Sequence, residues 1–427
     1  MLQTLKNAWV IKEIRNKILF TVMILLIFRV GSVIPVPFIN VAALKAATEA
    51  GTTNEFFSYL STLTGGGLEY GAIFALSVTP YINSSIIVQL LTVVFKRLQE
   101  WSKEGEEGQK KLAQLTRWAT VVLALIQGVA YFIYLKNSRY LNVSGTGAYW
   151  FAGFVIVLAL TAGSALVMWL GERIDEKGVG NGISMILFAG ILSRAPQAFQ
   201  SLWIYFFEYK RYVAVISIVF IFLAVIMFVV WMTHAERRIP IQYAKRVVGN
   251  KMYGGQNTHI PIKVNMSGVM PIIFASSILM LPTMVLSFMN NTTSSLYKVL
   301  SLFSVQGTFY AIIYFLLIIG FAYFYSTIQF NPVEMANNLR KNGGAIPGIR
   351  PGQPTTDFIS KILSRITLLG ALFLSVVAIL PIIIGNVGQI NVSLGGTSLL
   401  IMVGVALDVV RSLESQMMMR HYKGFLD

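Results

Sequence analysis

Few residues in this 427-residue chain have the types and spacing that bond-making chemistry needs. It has no His-Glu-x-x-His pair for zinc, no Gly-x-Ser-x-Gly elbow for a serine nucleophile and no Walker glycine–lysine loop. The nearest glycine-rich candidate, Gly178-Val-Gly-Asn-Gly182, lacks a lysine or acidic partner where a phosphate site would place one. Glu172, Asp175 and Glu176 have the ligand types for a metal cluster. Arg173 stands between them and Lys177 follows directly, however, which is the pattern of a solvated charged turn. The chain has no cysteine, hence no disulfide and no thiolate metal site. His234, His259 and His421 fall in expected loops or the tail. The sequence offers no catalytic residue, no metal centre and no cofactor site, so an intramembrane enzyme is the least supported reading.

Recognition chemistry is better represented. The long apolar runs carry almost no charge: Arg29 and Asp408 are the exceptions, with Arg411 and Glu414 near a helix end. Ion-coupled carriers place ionisable residues near mid-membrane, so a secondary transporter of small solutes is the alternative rather than the leading reading. What the runs do carry is Asn83, Ser84, Ser85, Gln89, Gln127, Ser184, Ser276 and Ser277. Uncharged polar groups join helices in lipid with about 0.6–2 kcal/mol, weak enough to break during function. Static packing is the commoner use of any single one.

Two hydrophilic stretches present charge outward. Arg237-Arg-Ile-Pro-Ile-Gln-Tyr-Ala-Lys-Arg246 alternates basic and apolar residues, which suits a strand or hairpin. Asn337-Asn-Leu-Arg-Lys341 is followed by Ile346-Pro-Gly-Ile-Arg-Pro-Gly352. Two prolines and two glycines around Arg350 make a stiff, exposed turn that presents one guanidinium. These loops suit a large partner rich in phosphate or carboxylate. Attraction to the membrane surface explains the charge but not the rigid turn.

The elements that must position these residues follow from composition. The chain is 55% apolar and 12% charged, against roughly a quarter charged in soluble proteins. Its apolar runs reach membrane-spanning length repeatedly. Ten spans are expected, at about 18–36, 73–95, 118–135, 150–170, 182–192, 213–231, 268–288, 309–329, 366–384 and 399–413. Residues 1–17 read as an amphipathic surface segment, and the first apolar run lacks the cleavage site of a signal peptide. A short, non-spanning helix from about Phe56 to Leu63 precedes a hinge at Gly65, Gly66 and Gly67. An apolar helix interrupted by Pro80 then follows. Of the 34 Lys and Arg, 26 lie on the side that holds both termini and seven on the other. The positive-inside rule puts that richer side, with the long loops 233–266 and 331–364, in the cytoplasm. Two halves, 18–199 and 200–427, each beginning inside with five spans, must have opposite orientations, the pattern of an inverted repeat.

The chain resembles the SecY family, the channel-forming subunits of the bacterial Sec protein translocon, over essentially its whole length. The resemblance rests on Phe74-Ala-Leu-Ser-Val-Thr-Pro-Tyr-Ile-Asn-Ser-Ser-Ile-Ile-Val-Gln-Leu-Leu91, Gly178-Val-Gly-Asn-Gly-Ile-Ser184 and Tyr243-Ala-Lys-Arg246. It also rests on Lys263-Val-Asn-Met-Ser-Gly-Val-Met-Pro271, Phe274-Ala-Ser-Ser277, the Ile346–Gly352 turn and Gly395-Gly-Thr-Ser-Leu-Leu-Ile401.

The resemblance implies an all-α polytopic membrane protein of two inverted five-helix halves around an hourglass pore. It implies a plug over about 56–73, containing Phe56, Phe57, Leu60, Leu63 and the three glycines. It implies an apolar pore ring of Val78, Ile82, Ile183, Leu187, Ile273 and Ile401, with Val78 and Leu187 where the family usually has isoleucine. Gln89, Gln127 and Asn265 match polar contacts of a lateral gate through which signal sequences reach lipid. Arg237, Arg238, Lys245, Arg246, Arg340, Lys341 and Arg350 would dock the motor ATPase SecA or the ribosome, with contact to its RNA. SecE and SecG, the small membrane subunits, signal peptides, nascent chains and membrane lipids complete the implied partners. The implied place is the bacterial cytoplasmic membrane, and the implied work is export of unfolded polypeptides driven by a partner.

Overall fold

The computed structural model describes residues 8–49, 61, 64–143, 145–243, 246–248, 251–253, 257–266, 268–288, 295–303, 307–388 and 396–423. Its elements in order are helices α1 (Lys12–Gly31), α2 (Val41–Glu49), α3 (Thr79–Val94), α4 (Lys96–Lys103), α5 (Glu106–Asn137), α6 (Thr146–Lys177), α7 (Gly182–Leu192), α8 (Ala195–Phe207) and α9 (Tyr212–His234). Strands β1 (Glu236–Tyr243), β2 (Arg246–Val248), β3 (Lys251–Tyr253) and β4 (Asn257–Lys263) follow. Then come α10 (Met270–Phe288), α11 (Ser295–Ser301), α12 (Thr308–Gln329), α13 (Pro332–Lys341), β5 (Gly344–Ala345), α14 (Gln353–Gly388) and α15 (Gly396–Lys423).

Each of the ten expected spans falls on a helix, and the 182–192 span coincides with α7 at both ends. Among the described residues, six helical stretches are long and apolar enough to cross a membrane. Among them α9 leaves Val213, Phe220, Met227 and Trp231 exposed, as a lipid-facing helix would. The ends of several helices differ from expectation. α3 begins at Thr79 rather than near residue 73, with Pro80 in its first turn. Proline lacks a backbone N–H that the first turn would leave unpaired anyway, so Pro80 starts this helix instead of interrupting it. α5 and α14 reach well beyond the expected spans into charged sequence.

The chain divides into two compact units, 1–212 with 277–307 and 391–427, and 213–276 with 308–390. In the first, α5 packs against α3 and α6, α7 packs against α6 and α15, and α1 lies on α6 and α7. Its main core joins Val36, Leu68, Leu76, Tyr131, Leu135 and Leu160. A second cluster ties Ile14 of α1 to Val179 and to Leu413 of α15, and Lys17 Nζ donates to Gln416 Oε1 at 3.2 Å beside it.

In the second unit α12 packs along α14, fastened by Ser326 and Thr367 hydroxyls 2.9 Å apart. Of the strand or hairpin expected over 237–246, the structure forms the strand, β1. β1 and β4 pair antiparallel, with Ile239 opposite Ile260, and β5 adds to the other edge of β1. Alternation along β1 turns Ile239 and Ile241 inward, where they meet Ile262, Leu339 of α13 and Ile359 of α14. One apolar core therefore holds both long hydrophilic loops.

Candidate functional site

Two described stretches, one in each unit, hold several of the residues singled out by sequence. The first is residues 64–78, a stretch of turns with a nearly continuous buried face before α3. Its backbone is satisfied by its own tight turns, such as Ala72 N to Gly67 O at 2.9 Å, and by neighbouring elements rather than by a regular helix. Pro35 and Ala72 form an isolated antiparallel bridge, Val36 N donates to Gly71 O at 2.8 Å, and Ile73 N donates to Ile34 O at 3.0 Å. Tyr131 Oη of α5 donates to Leu68 O at 2.9 Å, and Ser164 Oγ of α6 to Ser77 O at 3.3 Å. Non-helical backbone at membrane depth requires this kind of burial in protein.

The glycine hinge is a point of close approach. Gly65 has φ +66°, and a Cβ built there would stand 2.7 Å from Gly190 O of α7. Arg29 Nη1 donates to Gly65 O at 2.8 Å. Ser61 and Glu69, either side of the glycines, both bond to Arg194 at the break between α7 and α8. In the sequence Arg194 stood out only as one of the few basic residues on the poorer side.

Of the residues expected to ring a constriction, Val78 is buried immediately before α3 and Ile82 is half-buried in its first turn. Ile183 and Leu187 lie one turn apart on α7, Leu187 buried. Ile401 is buried on α15, a neighbour of α7. Ile273 is half-buried at the start of α10, in the second unit. Phe56, Phe57, Leu60 and Leu63 lie outside the described residues.

The expected gate residues carry unused polar capacity. Gln89 Oε1 and Asn265 Oδ1 are buried without a hydrogen-bond partner among the described residues. Gln127 is half-buried on α5. Asn265 lines a small cavity together with Ser326, Thr367 and Gly370. Ser77 Oγ, Asn83 Oδ1 and Ser84 Oγ are likewise unpaired in and beside α3. Leaving such groups buried and unmatched is costly.

The glycine-rich 178–182 loop is internally committed. Val179 N donates to Thr21 Oγ1 at 3.1 Å, Gly182 N to Asp175 Oδ1 at 2.7 Å and Ser184 N to Asn181 Oδ1 at 3.0 Å. The neighbouring carboxylates are occupied too, Glu172 by Arg117 at 2.7 Å and Glu176 by Arg173 at 2.5 Å. The N-terminus of α7 thus presents no free anion cradle.

The second place is the platform built by β1, β4, β5, α13 and the start of α14. Ile346 is buried in its core and Ile349 packs against it. Ile349 N donates to Ile346 O at 3.1 Å, and Gly348 and Gly352 take φ of +80° and +109°. Thr355 Oγ1 fixes the Arg350 carbonyl at 2.9 Å. The turn is therefore rigidly seated while the Arg350 side chain stays exposed. Arg237, Arg340 and Lys341 are exposed on the same platform, as is Arg238, which pairs with Glu236 at 2.7 Å. Lys245 and the side chain of Arg246 lie outside the described residues.

Comparison with known proteins agrees with this geometry. A family model described as SecY matches residues 72–410. The chain is 44% identical to the protein translocase subunit SecY of Bacillus subtilis, covering 100% of both chains. It is 42% identical to that of Thermotoga maritima, over 100% of this chain and 98% of the relative. Among solved structures, one described as a protein conducting channel superposes with TM-score 0.61 at 16% identity, covering 94% of this chain and 92% of that one. A yeast Ssh1 complex bound to the yeast 80S ribosome superposes with TM-score 0.58 at 17% identity, covering 92% and 88%. At such identities the likeness is one of fold.

Proposed function

The chain belongs to the SecY family, and from that premise we propose that it is the channel-forming subunit of a bacterial protein translocon. It passes unfolded secretory polypeptides across the cytoplasmic membrane and releases signal sequences and membrane segments sideways into lipid. The observation that carries this reading is the buried, non-helical 64–78 segment seated among α1, α5, α6 and α7. Carriers also hold non-helical backbone at membrane depth, where it lines an ion or solute site, but here the segment buries Leu68, Phe74, Leu76 and Val78, which suits a seal.

Val78, Ile82, Ile183, Leu187, Ile273 and Ile401 ring the constriction. An apolar ring excludes water and ions by dewetting, and it binds no particular sequence, as a pore for many polypeptides requires. Gln89, Gln127 and Asn265 line the lateral gate, where weak polar contacts can exchange as it opens. The chain performs no bond chemistry, and a partner supplies the energy. SecA or the ribosome docks on the platform through Arg237, Arg238, Lys245, Arg246, Arg340, Lys341 and Arg350, while SecE and SecG complete the membrane complex. Both termini are cytoplasmic, on the basic side.

The test is reconstitution of the full chain with the small membrane subunits in vesicles. With SecA and ATP, a precursor should become protease-protected, and a polar substitution in its signal core should abolish protection. Absence of protection, together with ion-coupled uptake of a small solute by the chain alone, would replace this reading with that of a carrier.

A further inference from the structure

We infer that Arg194 and Glu69 are positioning residues that clasp the segment around the glycine hinge to the broken end of the fifth span. The Arg194 Nη2 group donates to Ser61 Oγ at 2.6 Å and also to Glu69 Oε1, while Ser61 Oγ donates to Glu69 Oε1 at 2.8 Å. Ser61 and Glu69 bracket the glycines, so the triad closes a loop around them, and Gly66 N returns to Ser61 O at 2.8 Å. Two further donors meet at the centre of the loop. Gly65 O accepts from Arg29 Nη1 at 2.8 Å and from Ser193 Oγ at 3.4 Å, and Ser193 Oγ lies 2.7 Å from Gly190 O. Two guanidinium groups thus stand near the C-terminal end of α7, where the helix dipole favours positive charge.

The burial points to position rather than stability. The side chains of Arg194 and Glu69 are only 9% and 15% exposed. Replacing a buried ion pair with apolar residues is often neutral, whereas removing one partner is costly. Such a pair does most where a particular arrangement must be specified. Arg194 sits at the junction of α7 and α8, so movement of either helix pulls directly on the hinge. The clasp is also incompletely satisfied, since Arg194 Nε has no partner among the described residues. Water entering beside the pair would raise the local dielectric and weaken the attraction, so partial opening favours full release.

This inference rests on the channel reading, and the experiment separates the two. The chain has no cysteine, so Thr64→Cys introduces a single reporter at a fully buried position inside the clasp. Glu69→Gln, Arg194→Lys and Ser61→Ala are placed in that background and reconstituted as the full complex in vesicles. The readouts are the labelling rate by a membrane-impermeant maleimide, resting ion leak, melting temperature and precursor uptake. Glu69→Gln should raise labelling by about tenfold or more, since it strands a buried guanidinium. Arg194→Lys should do so less, because the compact ammonium keeps the charge but not the reach of the guanidinium Nη2 that makes both contacts. Ser61→Ala, which strands no charge, should still raise leak at an unchanged melting temperature. Wild-type labelling and leak in all three variants, in vesicles that take up precursor, would overturn the clasp. Failure of wild-type vesicles to take up precursor would count against the channel reading alone.

Discussion

Gln242 stands opposite Ala345 in antiparallel register, which makes the two long hydrophilic loops parts of one sheet. Residues separated by a hundred positions and two apolar helices thereby share a single core. The exposed side chains of Arg237, Arg340, Lys341 and Arg350 are carried by elements that share this core, so a partner docking there would meet them together.

Arg350 is the sharpest test of that surface. Its carbonyl is held by Thr355 and its turn is seated by Ile346 and Ile349. Arg350→Glu should nearly abolish export, and Arg350→Lys should impair it measurably, because lysine lacks the planar fork for carboxylate or phosphate. Abundance and membrane insertion of the chain should stay normal. Export assays at matched protein levels decide this, and wild-type export by Arg350→Glu would remove the docking role.

Ile82 and Ile401 test the ring. Replacing either with Asn should hydrate the constriction, raise ion conductance and admit precursors with defective signals. Single-channel recording and export of a signal-mutant precursor are the measurements. Unchanged conductance and stringency in both variants would take these residues out of the ring.

Gln89 and Asn265 test the gate. Changing both to Leu removes two buried, unpaired acceptors and should shift the open–closed balance by about 0.6–2 kcal/mol. A cysteine pair placed across α3 and α10 should crosslink on oxidation and block export. Normal export by fully crosslinked protein would move the gate elsewhere.

Arg29 lies in an apolar span, and its guanidinium meets the Gly65 carbonyl. Arg29→Met leaves that carbonyl only the longer 3.4 Å contact from Ser193 Oγ and should cost about 1.5–3 kcal/mol, the range for a hydrogen bond to a charged group. The melting temperature should fall, and Arg29→Lys should recover part of the loss. A melting temperature unchanged by Arg29→Met would show that the contact contributes nothing.

The sequence by itself determined where the apolar spans lie, their order and the resemblance to the family, but not short helices such as α2, α4, α8 and α13. Apolar run length is a local property, and α7 shows how far it reaches: its glycine start and its end at Leu192 are both visible in the residues. The basic turn around Arg350 was equally legible, because proline and glycine act on the backbone where they stand. Only the tertiary structure decided where α3 begins. The apolar run continues back to Ile73, but residues 73–78 satisfy their backbone partly through α1 and α6 and stay non-helical. It alone paired Arg194 with Glu69 across 125 positions and joined β5 to β1. Span length and turn chemistry depend on neighbours in sequence, whereas a buried charge or a sheet edge finds its partner only after the chain has closed the distance.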